Sequence, residues 1–168
     1  SHELRTPLTS IKGSLGMLQS GAVGEFSDKA SSMLDVASRN SDRLVLLIND
    51  ILDVEKLESG RFVFDMKPVK VSELLKEAIE ANKGYGREHG VTFICAEYTD
   101  DFSVLGDKGR LMQVLSNLMS NAAKFSPNGD QINLSAETIG GSVRIAVQDN
   151  GVGIPEGFHK DVFEKFTQ

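Results

Sequence analysis

Apolar residues in the first third of the chain recur at alternating steps of four and three. The first series comprises Leu4, Leu8, Ile11, Leu15 and Leu18. This spacing is typical of a helix that packs against a partner helix along one seam. Gly21 and Gly24 then interrupt the pattern, because glycine lowers helix stability and favours a turn. Ser27 or Asp28 can cap a second helix, so the pattern predicts a helical hairpin.

The second helix of this hairpin carries two apolar seams. One seam comprises Met33, Ala37, Asn40, Leu44, Leu47, Ile51 and Val54, and the other comprises Leu34, Val45, Ile48 and Leu52. A helix with two apolar faces must contact more than one neighbour, and a lone hairpin provides only one. We therefore expect two hairpins to pair into a dimeric four-helix bundle, with Asn40 setting the register. The alternative is that the hairpin packs on the second half of its own chain.

The pattern changes near Gly60 from one helical period to a mixture of periods. Alternating apolar residues predict strands at 62–66, 91–97, 103–106, 132–136 and 143–147, and the 3.6-residue period predicts helices at 72–88 and 109–125. Pro68 marks the end of the first strand or an edge position, and Gly140-Gly141 forms a hairpin turn. We predict an α+β chain with a helical domain in residues 1–60 and an α/β sandwich in residues 61–168.

Composition excludes several classes of protein. The 168 residues carry a net charge of −6, which argues against a nucleic-acid-binding surface. No segment approaches the roughly 20 apolar residues of a membrane span, and the N-terminus has no signal-peptide pattern. The single cysteine, Cys95, lies in an apolar run and is compatible with a reducing compartment. We expect a cytoplasmic segment that makes no contact with a membrane.

His2, Glu3 and Thr6 form the first group of candidate chemical residues. A neutral imidazole can attack phosphorus through one ring nitrogen, and a carboxylate such as that of Glu3 can accept the other N–H and make the ring more nucleophilic. Thr6 lies one turn after His2 on the same helical face, where its hydroxyl can position a water. By spacing alone, a solvated surface histidine in the first turn of a helix explains these residues better.

The predicted helix at 109–125 carries a polar stripe opposite its apolar face. The stripe comprises Arg110, Gln113, Asn117, Asn121 and Lys124. Amide oxygens can bind Mg²⁺, and a lysine can contact phosphates. The alternative is a solvated helix face, but asparagine is a poor helix former and two of them four residues apart do not stabilise a helix.

Asp149 directly follows the last predicted strand. Its carboxylate can accept a hydrogen bond from the amino group of adenine, and Gly151 and Gly153 allow backbone to pass close to a ligand. The segment matches neither common phosphate-binding loop, since the chain has no G-x-x-x-x-G-K-[ST] and the third glycine of G-x-G-x-x-G is missing. A simple turn remains an alternative, whereas a calcium loop would need further acids at alternating positions.

Four motifs resemble, in order, those of the sensor histidine kinases of two-component systems. Residues 1–7 resemble the H box, residues 113–125 the N box, residues 149–155 the G1 box and residues 163–166 the F box. The resemblance covers nearly the whole chain. It implies a dimerisation and histidine-phosphotransfer hairpin followed by an ATP-binding domain of the Bergerat type.

The resemblance also implies roles for individual residues. His2 would accept the phosphoryl group, Glu3 would activate it, and Thr6 would serve dephosphorylation of the partner. Asn121 would bind Mg²⁺, and ATP would contact Asn117, Asn121, Lys124, Phe125, Asp149, Gly151, Gly153 and Ile154. The implied partners are a second copy, through residues 1–60, and the receiver domain of a response regulator, whose aspartate would take the phosphoryl group.

Relative to the family, the chain begins one residue before the histidine and stops before the second glycine box. We therefore expect a segment cut at both ends from a longer protein, which in bacteria can be anchored in the inner membrane. We also expect this segment to bind ATP weakly. Two functions stay open: an autophosphorylating kinase core, and a non-catalytic fragment that dimerises and docks a regulator without a complete ATP lid. A mismatch-repair or topoisomerase type of ATPase is disfavoured, because those families have no helix that resembles residues 1–18.

Overall fold

The computed structural model describes residues 2–95 and 102–158, and only the backbone for residues 2–5 and Phe158. It divides the chain into two compact units, Ser1–Val63 and Phe64–Gln168. The helices are α1 (His2–Gln19), α2 (Asp28–Glu58), α3 (Val71–Glu88) and α4 (Lys108–Phe125), followed by one 3-10 turn (Glu156–Phe158). The strands are β1 (Lys67–Lys70), β2 (Thr92–Cys95), β3 (Ser103–Gly106), β4 (Gln131–Ile139) and β5 (Ser142–Gln148). Among the described helices, none is both long and apolar enough to cross a membrane.

The first unit is the predicted helical hairpin. The turn between its helices contains Gly21 and Gly24 with positive φ angles of 75° and 111°, a conformation that glycine adopts without steric cost. Ser27 caps α2, because its side-chain oxygen accepts a hydrogen bond from the backbone N–H of Ala30 at 3.4 Å. Between the helices, Lys12 Nζ lies 2.6 Å from a carboxylate oxygen of Asp42.

Only one of the two apolar seams of α2 is covered within the hairpin. Leu52 is buried at 8% exposure, and Leu34, Val45 and Ile48 from the same seam are half-buried. The members of the other seam that stay exposed include Met33, Leu44, Leu47 and Ile51, each of which keeps about half or more of its surface in contact with solvent. Asn40 is also exposed on this seam, where its side-chain amide donates to the carbonyl of Val36 at 3.0 Å. The hairpin therefore presents a long apolar face that its own two helices do not cover.

The second unit packs α3 and α4 on one face of a three-stranded sheet. The strand order is β2-β4-β5, with β2 parallel to β4 and β4 antiparallel to β5. The largest fully buried side chains of its core are those of Val71, Leu74, Leu75, Met119, Ile132 and Leu134. The α+β prediction is confirmed, and α3, α4, β3 and the β4–β5 hairpin lie within about one to three residues of their predicted bounds.

The first strand predicted in this half is wrong in position. Residues 61–66 form no regular structure, and β1 begins at Lys67. The alternation of Phe64 and Met66 does not reflect a buried face, since both side chains are about half exposed. Pro68 lies inside β1, opposite Leu105 of β3. A proline is tolerated there because β1 pairs with β3 alone among the described strands, so its missing N–H interrupts no second ladder.

Candidate functional site

Helix α4 supplies the polar side chains of the candidate nucleotide site. Its buried face consists of Leu115, Met119, Ala122 and Ala123, which pack into the core. Because these residues recur at steps of three and four, the intervening Asn117, Asn121 and Lys124 lie on the opposite face, and all three are exposed. These three members of the predicted stripe therefore share one accessible surface.

The two predicted members nearest the start of α4 interact with each other. Arg110 Nη1 donates to Gln113 Oε1 at 2.7 Å, and both side chains are half-buried. At the other end of the stripe, Lys124 Nζ lies 5.1 Å from the ring centroid of Phe125, which is within cation–π range. The side chains of Asn117 and Asn121, between these two pairs, are presented to solvent.

The N-terminus of α4 is held by Asp107. One carboxylate oxygen of Asp107 accepts the backbone N–H of Arg110 at 3.2 Å, which caps the helix. The other accepts the backbone N–H of Asp65 at 3.0 Å. These hydrogen bonds, first that from Asp65 and then that from Arg110, lower the pKa of Asp107 from its ordinary value. Asp107 thus attaches the segment before β1 to the helix that carries the stripe.

The carboxylate of Asp149 is partly engaged by its own loop. Its Oδ1 accepts the backbone N–H of Gly151 at 2.8 Å, which closes a turn directly after β5. The structure gives Asp149 Oδ2 no hydrogen-bond partner among the described residues, and the side chain is exposed. One oxygen therefore holds the turn, while the other is available to accept a hydrogen bond from a ligand.

Gly151 brings this turn against the end of α4. A Cβ atom on Gly151 would lie 2.7 Å from the carbonyl oxygen of Phe125, closer than carbon and oxygen can pack. Gly153 differs, because its φ of 71° requires glycine while the space beside it is open. The sequence-based interpretation gave both glycines one reason, close approach to a ligand, whereas the close neighbour of Gly151 is the protein's own backbone.

Sequence reasoning missed a residue that fixes the same turn. Asn150 Nδ2 donates to both carboxylate oxygens of Asp130, at 3.0 and 3.2 Å. Asp130 precedes β4 and follows the Pro127-Asn128-Gly129 turn that ends the α4 segment. The position of Asp130 directly after that turn is the only hint that the sequence offers, and it does not indicate that Asp130 contacts Asn150.

Apolar surface lies beside these polar groups. Phe125 and Ile154 are each about half exposed, and Val152 is 90% exposed. Their exposure next to Asp149 provides apolar surface for a flat heterocycle whose edge is read by a carboxylate. The F box at residues 163–166 lies outside the described residues.

The candidate phosphoacceptor belongs to the first unit. His2 and Glu3 lie in the first turn of α1, where the structure describes the backbone only. Thr6 follows one turn later and is exposed, and Pro7 is accommodated within the helix. The neighbouring Leu8 is buried at 9% exposure, which orients this part of α1 toward α2.

Two family models match the chain in succession. Residues 1–60 match the His Kinase A (phospho-acceptor) domain. Residues 106–168 match the Histidine kinase-, DNA gyrase B-, and HSP90-like ATPase. The chain belongs to the sensor histidine kinases. The first match contains His2, and the second contains both the α4 stripe and the Asp149 turn, so each part of this histidine kinase core carries one of the two candidate sites.

Similar proteins support the same assignment. The sensor-like histidine kinase SenX3 of Mycolicibacterium smegmatis is 30% identical over 99% of the chain, which spans 42% of SenX3. The sensor histidine kinase WalK of Bacillus subtilis is 33% identical over 99% of the chain, which spans 27% of WalK. Full-length ShkA, whose crystal structure is a complex with AMPPNP, superposes with a TM-score of 0.79 at 32% identity. That match covers 99% of this chain and 35% of ShkA. The chain thus spans less than half of each of these relatives.

Proposed function

We propose that this chain transfers the γ-phosphoryl group of ATP to His2 and then to an aspartate of a response regulator. The observation that carries the proposal is the approach of Gly151 to the carbonyl of Phe125, which sets the Asp149 turn at the end of the α4 stripe. The site then combines two kinds of group on one surface. The Asp149 carboxylate can contact the adenine ring, and the amides and lysine of the α4 stripe can contact the phosphates. The family membership and the complex of ShkA with the ATP analogue AMPPNP support nucleotide binding here.

The roles within the nucleotide site follow from the chemistry of each group. Asp149 Oδ2 accepts a hydrogen bond from the adenine amino group, while Gly151 and Gly153 shape the backbone beside the base. Phe125 and Ile154 supply apolar contact to the ring.

The donor groups fit a magnesium ion that arrives with the nucleotide. Among the described residues there is no cluster of three or more acidic, histidine or cysteine side chains, so no site made of protein ligands alone is present. Mg²⁺ usually takes one or two protein oxygens and fills its other positions with phosphate oxygens and water. The exposed amide of Asn121 supplies one such oxygen, with Asn117 and Lys124 beside the phosphates. When bound, the metal neutralises the phosphate charge that develops during transfer.

The proposed reaction is a displacement at the γ-phosphorus. One ring nitrogen of His2 forms the new bond to phosphorus, and the bond from phosphorus to the bridging oxygen of ADP breaks. The proton on the other ring nitrogen is held by the Glu3 carboxylate, which raises the electron density of the attacking nitrogen. A regulator aspartate then takes the phosphoryl group and leaves His2 neutral again. Thr6 positions the water that later hydrolyses the aspartyl phosphate.

We further propose that residues 1–60 form the dimerisation and phosphotransfer domain and residues 61–168 the ATP-binding domain. The exposed seam of α2, defined above by Met33, Leu44, Leu47 and Ile51, is the surface that a second hairpin would cover. Pairing two copies removes this apolar surface from water, which is favourable at about 25 cal/mol per Å². Light scattering is expected to give the mass of two chains.

Transfer from labelled ATP tests the proposal. We expect the full-length protein to incorporate label from γ-labelled ATP in a form that is stable to base and lost in acid, as expected for a phosphoramidate. His2→Gln is expected to incorporate none. His89→Gln is the matched control and is expected to leave labelling unchanged, because His89 belongs to neither candidate site and its ring stacks on Tyr85. A protein that dimerises but takes up no label would instead support the non-catalytic, regulator-docking function.

A further inference from the structure

One polar side chain is buried where the two helices of the second unit meet. Asn82 of α3 is 9% exposed and occupies the next turn after Ala78, on the face that faces the core. Its Nδ2 donates to the carbonyl of Ala78 at 2.8 Å and to Ser116 Oγ of α4 at 3.2 Å. The bond to Ala78 fixes the orientation of the amide, since a carbonyl oxygen can only accept.

Ser116 lies in the same helix as the two asparagines of the candidate nucleotide site. Ser116 immediately precedes Asn117 in α4, and Asn121 lies about one and a half turns after Ser116. Both asparagines are exposed and lie on the face of α4 opposite the core, so within the described residues the core does not hold their side chains directly. The direction in which the Asn117 and Asn121 side chains point is therefore set by the contacts on the buried face of α4.

A directional contact defines the rotation of α4 more sharply than apolar packing does. Its buried residues are Leu115, Met119, Ala122 and Ala123, of which two are small and methionine is flexible. Apolar contacts are also non-directional. The side chains of a helix reach about 5–6 Å from its axis, so a rotation of 10° moves their tips by about 1 Å. A productive metal or phosphate contact tolerates only about 0.5 Å.

A second polar contact joins the same two helices, but it is exposed. Lys108 Nζ lies 2.7 Å from Glu77 Oε1, and both side chains are about half exposed. Solvent and salt screen such a pair, and exposed pairs contribute little. The hydrogen bond from Asn82 to Ser116 is part-buried, with Asn82 itself 9% exposed, so water screens it less than it screens the exposed ion pair. A directional bond is stronger where water is partly excluded.

We propose that Asn82 is a positioning residue for the nucleotide site, acting through Ser116 to fix the rotation of α4 and hence the direction of Asn117 and Asn121. The inference rests on the proposed function, because it concerns how those amides meet Mg²⁺ and phosphate. It assigns a functional role to a side chain in the core that touches neither nucleotide nor metal.

The test compares Asn82→Leu, Ser116→Ala and the double variant in the full-length protein. The affinity for AMPPNP is measured with excess Mg²⁺ and again with EDTA, and thermal unfolding is followed in parallel. We expect each single variant to weaken Mg²⁺-dependent binding by about tenfold, the lower end of losses seen when support of a metal ligand is removed. We expect the double variant to lose no more affinity than Asn82→Leu alone, because the bond between Asn82 and Ser116 is already broken in each single variant.

The control is Glu77→Gln, which removes the exposed contact to Lys108 and is expected to leave both affinities unchanged. Unchanged Mg²⁺-dependent affinity in both single variants would overturn the inference. So would an equal loss with Mg²⁺ and with EDTA, which would indicate a general loss of structure, or losses that add in the double variant. A wild-type protein that binds no Mg-AMPPNP would overturn the proposed function, and this inference with it.

Discussion

Gly151 lies so close to Phe125 that a single added carbon at Gly151 would come within 2.7 Å of the Phe125 carbonyl oxygen. The two residues are far apart in sequence, one after the last strand of the sheet and one at the end of α4. Their contact joins the turn that carries Asp149 to the helix that carries Asn117, Asn121 and Lys124. The candidate nucleotide site exists because these two segments meet there.

Gly151→Ala is expected to impair nucleotide binding by moving the Asp149 turn away from α4. Relief of the clash with Phe125 requires backbone movement, since the Phe125 atoms in contact belong to the main chain, and Asp149 Oδ1, at 2.8 Å, would be displaced as well. Overpacking of this kind costs about 1–3 kcal/mol. Isothermal titration with AMPPNP is expected to show about a tenfold or greater loss of affinity.

Gly157→Ala is the control for that experiment, because a Cβ atom at Gly157 would meet no atom of the described residues within 4 Å. It is expected to bind AMPPNP like the wild type. If Gly151→Ala bound the nucleotide equally well, the contact with Phe125 would not position the site.

The sequence alone was sufficient to predict most of the described helices and strands. The helices α3 and α4 follow from long 3.6-residue periods, and Gly140-Gly141 marks the hairpin. The strand predicted at 62–66 is wrong because a short alternation does not reveal whether a partner strand exists. In the structure the backbone N–H of Asp65 bonds to the side chain of Asp107 instead of to a strand.

The features of the site that the sequence did not predict are contacts between segments that are distant along the chain. The bond of Asn150 to Asp130 and that of Asn82 to Ser116 depend on how the helices and the sheet pack. Periodicity predicts which face of a helix is buried, but it gives neither the rotation of one helix against another nor the path of a loop. For the same reason the sequence did not distinguish why each glycine is needed: Gly151 because of its close approach to Phe125, and Gly153 because of its positive φ angle.

Asn121→Ala is expected to abolish the gain in nucleotide affinity that Mg²⁺ produces. The amide oxygen of Asn121 is the proposed protein ligand, so its removal should weaken Mg-AMPPNP binding by about 100-fold. The circular dichroism spectrum should stay unchanged, because the side chain is exposed and packs on nothing in the core. Asn133→Ala, at an exposed asparagine of β4, provides the comparison. Retained Mg²⁺ dependence in Asn121→Ala would remove the metal-binding role.

Thr6→Ala is expected to separate the two activities of the hairpin. Autophosphorylation should proceed normally, since the hydroxyl takes no part in the attack on ATP. Dephosphorylation of the regulator should slow by about 100-fold, because the water is no longer positioned. Both rates are measured on a purified regulator, with Ser10→Ala, an exposed hydroxyl on the next turn, as the control. Equal loss of both activities would show that Thr6 supports the structure of α1 instead.

Asp107 is expected to make the free energy of unfolding decrease as the pH falls in the acid range. Hydrogen bonds from Asp65 and Arg110 lower the pKa of its carboxyl in the folded state. The stabilisation is therefore complete above the pKa of the unfolded chain and is lost as the pH falls through the lower folded value. Urea unfolding of the wild type and Asp107→Asn should differ at neutral pH, and the difference should shrink below about pH 4. A difference that stayed constant down to the folded pKa would contradict this linkage.

Mapping the phosphorylated residue tests the central proposal most directly. The chain has three histidines, His2, His89 and His159, and mass spectrometry of peptides prepared at alkaline pH distinguishes them after reaction with Mg-ATP. The account predicts that the full-length protein carries its phosphoryl group on the imidazole of His2. A phosphoryl group on His89, on His159 or on a hydroxyl residue, with none on His2, would contradict it.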